Sequence, residues 1–127
     1  MSELTKNEIE PRWYILHCYS GQEDRVKKNL DHRVETMGLH KNVFEVVVPT
    51  EEEVEVKDGE RQTVEKKMYA GYILVSMILD DQTWYNVRNT PGVTGFISAE
   101  DEKDTRPKPV PLSDSEVEHI FSRMNAD

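Results

Sequence analysis

Residues 12–19 alternate in a two-residue period. Trp13, Ile15, His17 and Tyr19 fall on one face, and Tyr14, Leu16 and Cys18 on the other. Aromatic and β-branched content with that period predicts a strand. The period then changes. Val26, Leu30, Val34 and Met37 recur at helical spacing, between charged residues that include Arg25, Lys27, Lys28, Asp31 and Arg33. Ser20-Gly21-Gln22-Glu23 has the spacing of a capping box, with the serine predicted to serve the Glu23 amide. Gly38 suits the residue just past the helix end.

Further along, Phe44 to Pro49 reads as a strand. Glu53–Lys57 and Arg61–Lys67 alternate around Lys57-Asp58-Gly59-Glu60, a hairpin signal. Its polarity predicts a hairpin that projects from the core. Tyr72 to Leu79 is a strongly apolar strand, with Ile73, Val75, Met77 and Leu79 predicted inward and Tyr72 and Ser76 outward. Asp80-Asp81 can cap a short helix running through Arg88, which Pro91 ends. Val93 to Ile97 forms the last strand. Gly71 and Gly95, at a strand start and within a strand, suggest close backbone approach or a bulge.

The ends are simpler. Residues 1–11 are polar and read as a disordered lead-in. Residues 99–111 end in Arg106-Pro107-Lys108-Pro109-Val110-Pro111 and read as extended and linker-like. Ser113 and Glu116 form a second capping box, and Val117, Ile120, Phe121 and Met124 form the stripe of a final helix. The order β-α-β-hairpin-β-α-β-α predicts an α+β, ferredoxin-like split βαβ fold with a four-stranded antiparallel sheet, a projecting hairpin and an extra C-terminal helix. In that plan the helices cover one sheet face, and the other is left for solvent or a partner.

Composition narrows the classes. The chain has 127 residues, enough for one domain, expected over residues 12–127. Hydrophobic residues are 36% and charged residues 32%, and the apolar runs are far shorter than a membrane span. The first ten residues are charged, with no apolar segment of the secretory kind. No membrane partner is expected, and a cytoplasmic location is. Cys18 is the single cysteine, so no disulfide framework or zinc knuckle can be built from cysteines. A net charge of −9 argues against autonomous binding to nucleic acid.

Candidate chemistry is sparse. His17 and Cys18 are adjacent on a strand and point to opposite faces, so they cannot share a proton. His32, His40 and His119 are scattered, without metal-ligand spacing. No glycine-rich phosphate loop is present. The expectation is a non-enzyme with no cofactor and no metal. Glu51-Glu52-Glu53 reads as a solvated acidic face. Trp13, Tyr69 and Tyr72 are surplus to the helix-covered core and would line the open sheet face, as a surface for a protein partner. Arg88-Asn89-Thr90 forms a polar turn able to donate to phosphates or bases, and Arg25 can join it.

Several stretches together resemble one family. They are Arg12-Trp13-Tyr14-Ile15-Leu16, Tyr19-Ser20-Gly21, Val48-Pro49-Thr50-Glu51-Glu52, Gly71-Tyr72-Ile73-Leu74-Val75, the run from Trp84 to Phe96, and Leu112-Ser113-Asp114-Ser115-Glu116-Val117. In order and spacing the chain resembles the N-terminal (NGN) domain of bacterial NusG transcription elongation factors.

That resemblance implies a docking surface for RNA polymerase. By matched position His17, Pro49, Tyr69, Ala70, Gly71 and Tyr72, supported by Trp13, would grip the clamp helices of the largest subunit. Gln82, Thr83 and Trp84 would face the gate loop of the second-largest subunit. Bridging the two would close the cleft over DNA and modulate pausing and processivity. Arg25, Arg88, Asn89 and Thr90 would lie near the non-template DNA strand.

Two departures stand out. The family often has Phe-Pro-Gly-Tyr where this chain has Tyr69-Ala70-Gly71-Tyr72. Family members also carry a C-terminal KOW domain that recruits ribosomal protein S ten or Rho. The chain stops at Asp127, where the linker to it would begin, so that domain is expected to be absent here. A freestanding RNA-binding module of the RRM type shares the fold plan but needs a stacking motif not found here. A small ferredoxin-like hydrolase would need a phosphate loop or paired reactive groups.

Overall fold

The computed structural model describes residues 10–99 and 108–124. The lead-in before residue 10 and most of the linker-like segment lie outside them. Strand β1 (Arg12–Cys18) leads into helix α1 (Glu23–Thr36), then β2 (Val43–Val47). The hairpin strands β3 (Thr50–Lys57) and β4 (Glu60–Lys67) follow, then β5 (Tyr72–Met77), α2 (Asp81–Arg88) and β6 (Val93–Phe96). The short strands β7 (Ser98–Ala99) and β8 (Lys108–Pro109) precede α3 (Asp114–Met124). The four-stranded sheet has the order β2-β5-β1-β6 with antiparallel neighbours, which is the split βαβ arrangement expected.

The alternation along β1 and β5 sets two cores. Tyr14, Leu16 and Cys18 face Ile73, Val75 and Met77 on the side covered by α1 and α2, through Val26, Leu30 and Val87. The opposite face is not open, contrary to expectation. Leu74, with Trp13, Ile15, Val47 and Met68, packs against Leu112, Val117, Ile120 and Met124 of the C-terminal segment. Trp13 meets Phe121 at a ring-centroid distance of 5.1 Å. The reason is area: Trp13, Ile15 and Leu74 are too apolar to leave wet, and α3 carries an apolar stripe that needs a surface. The approach to α3 is held by Leu112 N–H to the Trp13 carbonyl at 2.8 Å and by the β7–β8 pair. The end of the linker-like segment is therefore docked to the sheet.

The helix ends test the capping expectations. At α3, Ser113 and Glu116 exchange their bonds, 3.2 and 3.1 Å, as a capping box. Asp80 caps α2 and receives the Thr83 amide at 2.8 Å. At α1 the expected box does not form. The helix starts at Glu23 behind Gln22, with no side-chain cap, because Glu23 turns inward instead. Its C-terminus closes as expected: Gly38 has φ +66°, and the Leu39 N–H reaches the Val34 carbonyl at 2.9 Å. Leu39, not the exposed Met37, completes the apolar stripe.

The hairpin begins at Thr50 rather than Glu53, and Asp58 and Gly59 take φ +54° and +80°, a type I′ turn. Its outer part is exposed, with Val54 and Val56 at 64% and 70%. Its base is held on two sides. Lys67 reaches Asp24 of α1 at 3.1 Å, and Arg123 of α3 reaches Glu51 at 3.0 Å. Glu51 is thus engaged in an ion pair and is not merely a solvated carboxylate.

Candidate docking surface

The sequence between β4 and β5 dictates a tight turn. The Tyr72 N–H returns to the Tyr69 carbonyl at 3.2 Å, and Gly71 sits at the third position with φ +83°. That is the signature of a type II turn, which favours glycine there. Glycine is required for space as well: a Cβ on Gly71 would lie 2.8 Å from the Cys18 carbonyl oxygen. The turn is tied down from below. The Cys18 N–H bonds the Gly71 carbonyl at 2.8 Å, and the Met68 N–H bonds the Pro49 carbonyl at 2.9 Å. Glu23, 1% exposed, receives the Gly71 N–H at 3.4 Å. As the first residue of α1, its carboxylate also sits at the positive end of the helix dipole.

This framework presents a small aromatic patch. Tyr69 is 37% exposed, Ala70 and His17 are exposed, and Tyr72 is half-buried. The His17 and Tyr72 rings meet edge-to-face at 5.5 Å. Arg123 adds a long contact to the Tyr69 hydroxyl at 3.5 Å. The expected residues divide here. His17, Tyr69, Ala70 and Tyr72 share the surface. Gly71 and Pro49 are buried and act through the backbone that carries it. Trp13 is half-buried under Phe121, so it belongs to the second core and not to an open aromatic face.

Helix α2 separates in the same way. Gln82 is exposed and Trp84 half-buried. Thr83 is at 0% exposure, and its hydroxyl donates to the Ile78 carbonyl at 2.8 Å and accepts the Asp80 N–H at 2.9 Å. It completes the Asp80 cap. At the helix end Arg88 lies over the Trp84 ring, 5.8 Å from its centroid. Asn89 is exposed, with its amide nitrogen on the Tyr85 carbonyl at 2.7 Å. Thr90 is turned inward. It is 2% exposed, and its hydroxyl donates to the Asn86 carbonyl at 2.9 Å, so it closes the helix.

Arg25 is brought towards this turn. Asn29, one helical turn later on the same face of α1, donates to the Pro91 carbonyl at 3.0 Å. Gly92 packs so closely on Val26 that a Cβ there would lie 2.5 Å from Val26 Cγ2. The exposed Arg25, Arg88 and Asn89 therefore border one helix–turn junction. A shallow groove of about 380 Å³ between α1 and β2, lined by residues such as Lys27, Asp31 and Phe44, includes none of these residues.

His17 and Cys18 do point apart. Cys18 is buried, and burial together with the Glu23 charge raises its thiol pKa, away from thiolate chemistry. His17 is instead linked to Thr94, 2.6 Å from Nδ1 to Oγ1. Three positioning residues were not legible in the sequence: Glu23, Thr94 and Arg123. Thr94 stands where the β1–β6 register shifts between His17 and Cys18, and only Gly95 hinted at a bulge there.

With this geometry in hand, the family match is direct. The family model described as transcription termination factor nusG matches residues 11–121. The chain belongs to the NusG family. It is 48% identical over 119 residues to the transcription termination/antitermination protein NusG of Bacillus subtilis, covering 94% of this chain and 66% of that protein. Against NusG of Staphylococcus aureus it is 50% identical over 113 residues, covering 89% and 60%. The chain thus spans about two thirds or less of these NusG relatives.

A solved structure of Thermotoga maritima NusG superposes with a TM-score of 0.71 at 29% identity, covering 94% of this chain and 60% of that one. The chain is the NGN domain of this family of transcription termination/antitermination factors. A chain of an Spt4 heterodimer complex from Methanococcus jannaschii gives a TM-score of 0.55 at 15% identity, a likeness of fold alone. Among the described residues no helix is long and apolar enough to cross a membrane.

Proposed function

We propose that this NGN domain docks on RNA polymerase through His17, Tyr69, Ala70 and Tyr72 and modulates pausing and processivity. The occupant of that patch would be the clamp helices of the largest subunit. Gln82 and Trp84 would face the gate loop of the second-largest subunit. The observation that supports this most is the fastening of the Tyr69–Tyr72 turn. Backbone bonds from Cys18 and Met68, the Glu23 carboxylate and Arg123 all hold it. So much anchoring under an exposed tyrosine suits an interface anchor that is ordered before its partner arrives.

The DNA side is the junction of Arg25, Arg88 and Asn89, set beside the non-template strand. The net charge of −9 opposes binding to nucleic acid from solution. Held at high local concentration by the polymerase, the same few contacts suffice. Thr83 and Thr90 have no outward role in this reading, and Trp13 supports the sheet.

Tyr69→Ala tests it. Affinity for a purified bacterial elongation complex should fall by about 1–3 kcal/mol, with the melting temperature nearly unchanged. Undiminished binding would remove the patch as the docking site. Asn89→Ala should leave affinity intact and change the pause pattern at particular template sequences. An unchanged pattern would remove the base contact.

A further inference from the structure

We propose that His17 offers its Nε2 as a bare hydrogen-bond acceptor, and that a basic side chain of the polymerase donates to it. This rests on the docking reading above and adds the chemistry of one contact.

Thr94 Oγ1 lies 2.9 Å from the His17 carbonyl oxygen and 2.6 Å from His17 Nδ1. A carbonyl oxygen only accepts, so the single hydroxyl proton of Thr94 is committed to it. The contact to Nδ1 must then be made by an Nδ1–H. A neutral imidazole carries one N–H, which leaves Nε2 with an open lone pair. The β1–β6 register shift at His17 is what sets Thr94 in place to fix this tautomer.

The surroundings keep that lone pair accessible. His17 is exposed, and Nε2 lies 3.7 Å from the point where a Gly71 Cβ would stand, so the glycine leaves the space beside it clear. Tyr72 flanks the ring. A partner that displaces water here without a donor loses a hydrogen bond. Charge selects the donor: the chain carries −9 overall, and the Glu23 carboxylate lies directly beneath the turn. Both favour an arginine or lysine over a neutral group.

The test has two arms. Long-range ¹H–¹⁵N spectra of the neutral ring should show the proton on Nδ1 in the wild type. Thr94→Val should shift it towards Nε2, and Thr94→Ser should restore it. Affinity for purified bacterial RNA polymerase should fall on the order of tenfold in His17→Phe and Thr94→Val, and recover in Thr94→Ser. A wild-type ring protonated on Nε2 overturns the inference. So does wild-type affinity in both weakened variants, although the docking reading would survive. Failure of the wild-type domain to bind polymerase at all overturns the docking reading and takes this inference with it.

Discussion

Arg123 and Glu51 join the last helix to the base of the hairpin. One guanidinium nitrogen, Nη2, meets both carboxylate oxygens, at 3.0 and 3.2 Å, while Nη1 points to the Tyr69 hydroxyl at 3.5 Å. The two residues are 72 positions apart in sequence, yet together they border the docking turn. Arg123→Ala should therefore have a small effect on stability and a larger one on Tyr69. The pair is partly exposed, so solvent screening limits its stability contribution to about 0.5–1 kcal/mol. Tyr69 ring resonances should broaden or shift in the variant while the melting temperature falls only slightly. A Tyr69 spectrum identical to wild type would show that Arg123 does not hold it.

The second core predicts a different outcome for Phe121→Ala. Phe121 covers Trp13 at 5.1 Å, and α3 rests on the sheet through Val117, Ile120 and Met124. Truncating a half-buried aromatic at such a contact should cost about 2–3 kcal/mol, at or somewhat below the range for fully buried ones. Hydrogen exchange should accelerate first in α3, because its attachment loses more than the main core does. Uniform acceleration across the sheet would mean that the two cores melt as one.

Most of the fold was legible because its signals are local. The two-residue period of β1, the helical stripe of α1, the Asp58-Gly59 turn and the Ser113/Glu116 box each depend on a few neighbouring residues. The site was less legible because it depends on distant ones. Whether the sheet face carrying Trp13 is open depends on where α3 docks, which its amphipathic stripe does not specify. Glu23 follows a serine at capping distance, yet its carboxylate accepts the Gly71 N–H, 48 residues away, instead. Thr83 and Thr90 are hydroxyls in motif-like runs, and only the packed structure shows both turned inward on backbone carbonyls.

The capping box of α3 makes stability depend on acid. The Ser113 hydroxyl and backbone amide hold the Glu116 carboxylate below its ordinary pKa of 4.5. A carboxylate with a depressed folded-state pKa stabilises the fold above its unfolded value, and the contribution is lost as pH falls through the folded value. Melting temperatures of wild type and Glu116→Gln should thus differ at neutral pH and converge as the buffer is acidified below the ordinary glutamate range. A difference that stays constant with pH would assign the effect to neutral hydrogen bonding alone.

Ala70 stands at the second position of the type II turn, where proline is favoured. Among the described residues its N–H makes no hydrogen bond, and its side chain is exposed, so a pyrrolidine ring would displace nothing. Ala70→Pro should stabilise the domain by about 0.4–1 kcal/mol, chiefly by restricting the unfolded chain. The same restriction pre-organises Tyr69 and Tyr72, so polymerase should bind more tightly as well, mainly through slower dissociation. If the variant is more stable yet binds no better, the turn is already fully ordered in the wild type by Glu23, Cys18 and Arg123. If it is less stable, Tyr69 occupies a backbone conformation that a following proline excludes, and the turn differs from type II at its first residue. Chemical denaturation and dissociation kinetics on one pair of proteins separate these outcomes.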